Sequence, residues 1–507
     1  MSNLMHLLQG LAVCMQPMNL LYALAGGILG VIVGALPGLG SVAGTALLLP
    51  LTYTMNPTAA IIMLAAIYYG NMFGGAISAI LINIPGDAPA VMTALDGYAM
   101  TRQGRAGQAL FTAFFSSFVG GLIGAILLTL MGSFMASIGL KFGPGETTML
   151  ILVAMTSIGW ILGDNPAKGL VATGFGLILA CVGLDAQVGG SRLTFGIFHL
   201  LAGVPFIPTI IGFFGFSQVI RTMVDGIEKQ PEIKLDKITY KNSFPSREDV
   251  KRCLPVVARG SLLGFVIGML PGSGATTAAF LSYITEKRLN RRKEQMGSGI
   301  PEGVAISESS NNAASIGAFG PLLSLGIPGS GTAAVLMGGL IMWGLQPGPL
   351  FMSQNQAFSW SLIASMFTGD IMIAIVCIAT IPVLVNLLKV SNKILVPIIL
   401  CVSMMGAFCV NNSVADIYIM LIFGFIGYLF LRFKLPMAPI ALAMCLCNML
   451  ETAIRQGFII SKGSLSIFFK SGLSKGLFAF GVLFIVLPIL LKLITRLREK
   501  KQTQKGT

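Results

Sequence analysis

The chain has few of the side chains on which soluble enzymes depend. Only 10% of its 507 residues are charged, and its two histidines, His6 and His199, are too few to assemble a zinc or haem site. Its eight cysteines are dispersed, apart from Cys445 and Cys447. The pattern G-x-x-x-x-G-K-[ST] is absent, which excludes a P-loop nucleotide motor. Active transport by such a chain would have to draw on an ion gradient.

Positive charge is missing from the start of the chain, because no Lys or Arg precedes Arg102. The N-terminus lacks a basic region and an A-x-A cleavage site, so we expect it to be retained rather than cleaved as a signal peptide. Further on, basic residues collect in 221–259, 287–293 and 492–505. The positive-inside rule predicts that 221–252, 286–298 and the C-terminal tail are cytoplasmic. The net charge of +14 is then explained without a nucleic-acid partner, and none is predicted.

Apolar residues dominate the amino-acid composition. Hydrophobic residues make up 55% of the chain, and its mean hydropathy is +0.84. Apolar stretches of roughly 20 residues recur, enough for about 11–13 transmembrane segments. Blocks 170–188 and 196–218, among others, predict ordinary spans. The 62 glycines show no Gly-X-Y period and favour close helix packing. The sequence therefore predicts an all-α polytopic protein in the lipid bilayer.

A glycine pattern occurs twice in the same register. Glycines spaced by four end in a Pro-Gly turn, at an offset of 234 (260 − 26 and 271 − 37). The members are Gly26, Gly30, Gly34, Pro37 and Gly38, and Gly260, Gly264, Gly268, Pro271 and Gly272. This spacing places the glycines on one helix face, where another helix can approach closely, and the proline then breaks the helix. We predict broken helical hairpins near 26–52 and 260–285, leaving a Pro-kinked single span in each half as the alternative.

The distribution of basic residues predicts that the two hairpins enter the membrane from opposite faces. Segment 260–285 lies between basic loops, so a hairpin would return the chain to the cytoplasm, whereas 26–52 has no basic flanks and suits entry from the other face. The predicted organisation is a first membrane repeat (1–220), a cytoplasmic linker (221–256), a second membrane repeat (257–490) and a basic cytoplasmic tail (491–507).

Each half also carries a second break downstream. Asn83 to Pro89 (NIPGDAP) forms it in the first half and Gly326 to Thr332 (GIPGSGT) in the second. A segment with asparagine precedes each break, with Asn71 in the first half and Asn311-Asn312 in the second. Interrupted helices at corresponding points of two halves are typical of the binding site of a secondary transporter.

These breaks predict an anion site made of helix N-termini and small hydroxyl donors. The alternative is that the Ser and Thr residues only satisfy backbone carbonyls near the breaks. The predicted substrate-binding residues are Pro37, Gly38, Gly40, Ser41, Asn71, Pro85, Gly86, Pro271, Gly272, Ser273, Gly274, Thr276, Thr277, Pro328, Gly329, Ser330, Gly331 and Thr332.

Intramembrane carboxylates and amides are candidates for binding a coupling cation. Glu308 and Asn312 are four apart and share a helix face, so Glu308, Asn311 and Asn312 are the predicted ion-coupling set, for Na⁺ or H⁺. No other cofactor, metal site or catalytic residue is predicted. Other acids are Asp87 and Asp96 beside the first Pro-Gly break, where Asp96 could instead cap a helix, and Asp370, Asp416 and Glu451, which are isolated and can mark helix ends.

Long motifs carry a family resemblance from about residue 18 to residue 490. They are LPGLGSVAGTALLLPLTYTMNP, IYYGNMFGGAISAILINIPGDAPAVMTALDGYAMTRQGRAGQAL, LPGSGATTAAFLSYITEKR, EGVAISESSNNAASIGAFGPLLSLGIPGSGTAAVLMGGL and GLQPGPLFM. The chain resembles the large membrane subunit of the tripartite tricarboxylate transporters. The resemblance implies a multi-pass permease of the bacterial inner membrane that works with a small membrane subunit and a periplasmic solute-binding protein. It also implies symport of citrate or another organic carboxylate with Na⁺ or H⁺.

We therefore expect a secondary active transporter and not an enzyme. An intramembrane enzyme acting on a lipid-linked substrate would need a nucleophile, a general base or a metal, and neither histidine stands beside a matched acid in the sequence. A passive anion channel is the remaining alternative, which saturable and gradient-coupled uptake would distinguish.

Overall fold

The computed structural model describes residues 3–36, 39–139, 141–161, 166–185, 189–224, 238–272, 274–387 and 392–482. The helices of the first half are α1 (Asn3–Cys14), α2 (Pro17–Ala35), α3 (Gly40–Leu48), α4 (Pro57–Ile82), α5 (Val91–Arg102), α6 (Ala106–Gly139), α7 (Pro144–Ile161), α8 (Pro166–Ala180), α9 (Phe206–Ile210) and α10 (Ser217–Val224). The two strands, β1 (Gly183–Leu184) and β2 (Ser191–Arg192), pair antiparallel.

The second half is also helical. Its helices are α11 (Tyr240–Ser243), α12 (Arg247–Gly268), α13 (Gly274–Leu289), α14 (Pro301–Gly317), α15 (Phe319–Leu325), α16 (Gly331–Met342), α17 (Phe351–Gln354), α18 (Gln356–Leu387), α19 (Asn392–Asn411), α20 (Val414–Arg432) and α21 (Ala438–Ile460). Short 3₁₀ turns are Leu49–Thr52, Ala88–Ala90, Phe198–Ala202, Lys293–Gln295 and Leu465–Phe469.

The predicted all-α polytopic membrane protein is confirmed. Within the described residues, seven helices are long and apolar enough to cross a bilayer, and six shorter helices are also apolar. The predicted figure of 11–13 segments is reached only when the shorter helices are counted. α4 is central, since every residue from Ala59 to Ile82 is buried.

Two predicted spans are present as apolar helices with shifted bounds. Block 170–188 is a helix only as far as Ala180, and the chain then enters the β1–β2 ribbon. Block 196–218 begins with the 3₁₀ turn at Phe198–Ala202, and the apolar helix starts at Phe206. That helix contains a π-helical segment, Ile211–Phe216, which apolar periodicity does not reveal.

Both glycine-faced segments are hairpins, and the Pro-kinked span is excluded. Arg259 near the start of the second segment forms an ion pair with Glu286 near its end, at 2.7 Å. A kinked single span would hold these two residues on opposite sides of the bilayer. In the first segment α2 and α3 fold back on each other, so that Gly44 lies against Val33.

The glycine faces pack in the same way in both halves. α2 lies on α4 and α12 lies on α14, and in each pair a Cβ added to a glycine would overlap the backbone of the partner helix. The matched contacts are Gly26–Met63, Gly30–Ile67 and Gly34–Asn71 in the first half, and Gly260–Ile306, Gly264–Ser310 and Gly268–Ala314 in the second. The glycines are offset by 234 residues and their partners by 243 (306 − 63 and 314 − 71), which shows a structural duplication.

The two repeats run in opposite directions. α6 is parallel to α14, as the contacts Gly120–Ser309 and Gly124–Ala313 show. It is antiparallel to α18, as Gly121–Asp370 and Gly132–Trp360 show. α18 is in turn parallel to α2, because Gly27 contacts Ile373 and Ala23 shares a cluster with Ala364. α2 and α4 therefore run opposite to α12 and α14, as an inverted repeat requires.

Candidate functional site

Four helix interruptions shape the candidate site. α2, α4, α12 and α15 end at Ala35, Ile82, Gly268 and Leu325, and new helices begin shortly after each end. The hairpin breaks have glycines in the left-handed region at equivalent positions, Gly40 (φ 65°) and Gly274 (φ 62°). Pro37, Gly38 and Ser273, which belong to the predicted site, lie outside the described residues.

Hydroxyl groups join the two repeats at these breaks. Thr332 on α16 donates a hydrogen bond to the Ser41 hydroxyl on α3, with 2.9 Å between the oxygens. The Tyr68 hydroxyl on α4 is 3.0 Å from the Ser330 hydroxyl. Gly331 packs close to Val42. The structure thus brings the first hairpin together with the second break of the other repeat.

The converse contact is present as well. α13, the returning helix of the second hairpin, packs on the Ala88–Ala90 turn of the first repeat. Within the second repeat, the Gly274 amide donates to the Gly329 carbonyl at 3.2 Å. A Cβ at Gly329 would come within 2.8 Å of the Gly268 carbonyl oxygen, and Gly86 is held against Gly34 in the same way. These glycines allow the breaks to approach one another.

Asp87 makes the site asymmetric. Its carboxylate accepts hydrogen bonds from the Ser41 amide (3.1 Å) and the Ala88 amide (2.8 Å). The equivalent residue of the second repeat, at the offset of 243, is Ser330, whose hydroxyl accepts from the Ala333 amide at 3.1 Å. The amide end of α3 therefore already faces a carboxylate of this chain, contrary to the free amide end expected there.

The other predicted substrate residues are distributed along the breaks. Thr276 and Thr277 are half-buried on the first turn of α13, without a hydrogen-bond partner within the described ranges. Pro85, Pro271, Gly272 and Pro328 lie in the turns themselves. Asn71 on α4 is fully buried against Gly34 of α2, and among the described residues neither polar atom of its side-chain amide has a hydrogen-bond partner.

The predicted ion-coupling set is enclosed where α5, α6 and α14 meet. The Glu308 carboxylate accepts hydrogen bonds from the Thr93 hydroxyl and, at 2.9 Å, from the Ser117 hydroxyl. The Asn312 amide donates to the Asn311 side-chain oxygen at 2.6 Å. Glu308 is fully buried, so the set is separated from solvent in this conformation. Thr93 and Ser117 were not predicted, because no sequence pattern places α5 and α6 beside Glu308.

Asp96 binds the loop that precedes α14. Its carboxylate accepts from the amides of Gly297, Gly299 and Ile300 at 2.9–3.1 Å and from the Tyr283 hydroxyl at 2.7 Å. These donors belong to the second repeat, whereas Asp96 lies on α5 of the first. Asp96 therefore does not cap a helix, because its amide donors all precede α14 and the N-cap residue of α14, Ile300, has no side-chain cap.

Two other acids do not mark helix ends. Asp370 lies inside α18, fully buried against Gly121, with neither oxygen hydrogen-bonded among the described residues. Glu451 lies inside α21 and pairs with Arg192 (2.9 Å) and Arg455 (2.5 Å). Burial and ion pairing across distant segments cannot be read from an isolated acid in the sequence.

Two adjoining cavities approach the site. One, of about 510 Å³, is lined by Phe142 and Pro144 at the end of α6, by Gly326 at the second break, and by Thr452 and Gln456 of α21. The other, of about 790 Å³, includes His199 and Asp416 and shares Ile341, Cys445 and Asn448 with the first. Because α6 begins beside the basic segments predicted to be cytoplasmic, the cavity at its far end opens on the opposite face of the protein.

The sequence profile of the Tripartite tricarboxylate transporter TctA family matches residues 20–442. The chain belongs to this family. It is 36% identical over 490 residues, 97% of this chain and 97% of the relative, to the "Uncharacterized 52.8 kDa protein in TAR-I ttuC' 3'region" of Agrobacterium vitis. It is 35% identical over 227 residues to the "Uncharacterized protein in TAR-II ttuC' 3'region" of the same organism, covering 45% of this chain and 94% of that protein. No solved structure matches it.

Family membership makes this TctA-family chain a component of a tricarboxylate transporter. The family is tripartite, so the chain has partner subunits. Together with the apolar helices, membership also places it in a membrane as a multi-pass protein.

Proposed function

We propose that the chain is the substrate-conducting subunit of a secondary active importer. Its cargo is citrate or another organic carboxylate, and its energy source is a Na⁺ or H⁺ gradient. The periplasmic solute-binding protein delivers the cargo, the small membrane subunit completes the complex, and the assembly lies in the bacterial inner membrane. The observation that carries the proposal is the meeting of interrupted helices from two inverted repeats, joined by the Thr332–Ser41 hydrogen bond.

The chemistry of this meeting point suits a carboxylate. Helix N-termini offer backbone amides and a partial positive charge, and small hydroxyl donors add directed hydrogen bonds. Thr276 and Thr277 are the best placed hydroxyls, because they are half-buried and have no partner in the described parts of the chain. Asp87 repels an anion from the amide end of α3, so we place the cargo nearer the second hairpin.

The cavity at Gly326 supports entry of the carboxylate from the face opposite the basic loops. Its wall carries the uncharged polar side chains Thr147, Gln346, Asn448, Thr452 and Gln456. A polar wall without carboxylates gives an organic anion a path that does not repel it. This is the side on which a periplasmic protein would release its cargo.

Glu308, Asn311 and Asn312 are the proposed ion-coupling residues. A buried carboxylate with side-chain oxygens beside it can hold a proton or a desolvated Na⁺, whereas an unpaired charge there would be costly. Closure around Glu308 would keep the cation from leaking while the carrier is empty.

Reconstitution of the chain with both partners in proteoliposomes tests the proposal. We expect saturable uptake of a carboxylate that requires the binding protein and an inward Na⁺ or H⁺ gradient. Uptake that persists after both gradients are collapsed would contradict symport. Uptake that never saturates would favour a channel.

A further inference from the structure

Resting on the proposed function, we infer that Asp87 binds a coupling cation, H⁺ or Na⁺, inside the substrate site itself. The cation neutralises Asp87 and allows a carboxylate to bind beside it. This site is separate from Glu308, which lies enclosed between α5, α6 and α14.

Asp87 is placed where the repeats meet. It accepts a hydrogen bond from the Ser41 amide, and the Ser41 hydroxyl accepts one from Thr332 of the second repeat. Its neighbour Ala88 lies in the turn that packs against α13. Asp87 is half-buried, so a cation from solvent can reach its carboxylate.

Within the part of the chain that the structure describes, Asp87 forms no ion pair with a basic side chain. In α3, α4, α5, α13 and α16, the Lys and Arg residues are Arg102, Lys287 and Arg288. They lie 13 or more residues beyond the breaks from which their helices start, which is about 20 Å along a helix. Tyr68 is the titratable group that faces Asp87 from α4, and Asp96 on α5 is already held by its own donors.

A second observation points to a ligand at this break. The Ser78 hydroxyl on α4 is fully buried, has no hydrogen-bond partner among the described residues, and is 2.9 Å from the position a Cβ on Gly86 would take. Asn71, two turns earlier on the same helix, also has a side-chain amide whose oxygen and nitrogen lack a hydrogen-bond partner in the described ranges. Buried oxygens without donors beside a carboxylate are the chemistry that Na⁺ or a proton-bearing water requires.

Helix capping alone does not explain the charge. Ser330 caps α16 at the equivalent position with a hydroxyl, so a neutral side chain can serve as the cap in this fold. The first repeat has instead a carboxylate, which repels the proposed cargo unless a cation is bound. A bound cation therefore turns an unfavourable charge into an obligatory link between cation and carboxylate binding.

The test compares Asp87→Asn with Asp370→Asn in the reconstituted complex. Asp370 is the comparison because it is an acid on α18 that lies against Gly121 of α6 and not at a break. Two quantities are measured: accumulation of labelled carboxylate driven by a Na⁺ or a pH gradient, and exchange of labelled for unlabelled carboxylate without a gradient. We expect Asp87→Asn to lose at least tenfold in accumulation and to retain exchange within about threefold, because its side chain is neutral without a cation. We expect Asp370→Asn to retain both.

The gradients separate the two cations. Loss of Na⁺-driven accumulation identifies Na⁺, and loss of pH-driven accumulation identifies H⁺. Wild-type cation dependence in a folded Asp87→Asn variant would overturn the inference, as would loss of exchange together with accumulation. If Asp87→Asn does not fold, Asp87→Ser, which introduces the residue found in the second repeat, is measured in the same way. Failure of the wild-type complex to use any gradient would instead refute the proposed symport.

Discussion

Thr332 and Ser41, 291 residues apart in the chain, share a hydrogen bond of 2.9 Å between their hydroxyl oxygens. The bond joins the first turn of α16 to the first turn of α3, so two helix N-termini from opposite repeats point into one cleft. A site built in this way changes shape whenever one repeat moves against the other. This is the geometry that alternating access requires.

Glycines at the breaks are expected to be indispensable for transport. Gly329→Leu places a side chain against the Gly268 carbonyl and Ala318, and Gly272→Leu forces a bulky residue to φ 79°. Both variants should insert in the membrane and lose uptake. Gly174→Leu is the control, because a Cβ there meets no atom within 4 Å. Wild-type uptake by both break variants would mean that the Pro-Gly turns are only structural kinks.

Glu308→Gln should change the cation dependence of uptake. Glutamine keeps an oxygen for Ser117 or Thr93, and either hydroxyl can rotate to accept from its amide, so the enclosed site should remain folded. The dependence of uptake on Na⁺ concentration and on pH is measured with the carboxylate saturating. Profiles that coincide with those of the wild type would remove Glu308 from the coupling site.

The Arg259–Glu286 pair should stabilise the second hairpin. Arg259→Ala leaves a buried carboxylate with fewer donors, and we expect it to lower the free energy of unfolding by about 2 kcal/mol. Glu286→Gln relieves that charge, so the double variant should be less destabilised than the sum of the two single changes. Thermal unfolding in detergent measures all four proteins. Strict additivity would show that the two ends of the hairpin do not interact.

Asp96→Asn should destabilise the contact between the repeats. The variant loses the negative charge that accepts hydrogen bonds from three backbone amides and the Tyr283 hydroxyl. The side-chain NH₂ group of the new asparagine would face some of these donors and could not accept from them. We expect a loss of about 3 kcal/mol, seen as a lower unfolding temperature and faster proteolysis after Gln295. Glu248→Gln, at an exposed position of α12, serves as the control. Equal stability of the two variants would argue against Asp96 as an anchor.

The glycine faces and the hairpins could be predicted, because a spacing of four defines one helix face and proline fixes where a helix must end. The helix that packs against that face could not be predicted. Nothing local in the sequence says that Gly34 packs on Asn71, or that Thr93 and Ser117 close over Glu308, since these contacts depend on how distant helices are arranged.

Asp87 shows the same limit within the site. The sequence Pro-Gly-Asp-Ala-Pro places the Asp87 carboxylate beside a break. The hydrogen bond from the Ser41 amide to Asp87 is a tertiary contact, because the two residues are 46 positions apart. The two break motifs, NIPGDAP and GIPGSGT, already align Asp87 with Ser330 at an offset of 243. The matched glycine contacts confirm that offset in the structure.

Direct observation of the bound anion tests the central claim most sharply. The measurement is an electron cryomicroscopy structure of the chain with its small membrane subunit in saturating citrate, repeated with other organic carboxylates. We expect density for an anion in contact with the first turns of α13 and α16, close to Thr276 and Thr332. An anion found only in the cavity beside His199, with the breaks left empty, would contradict the account.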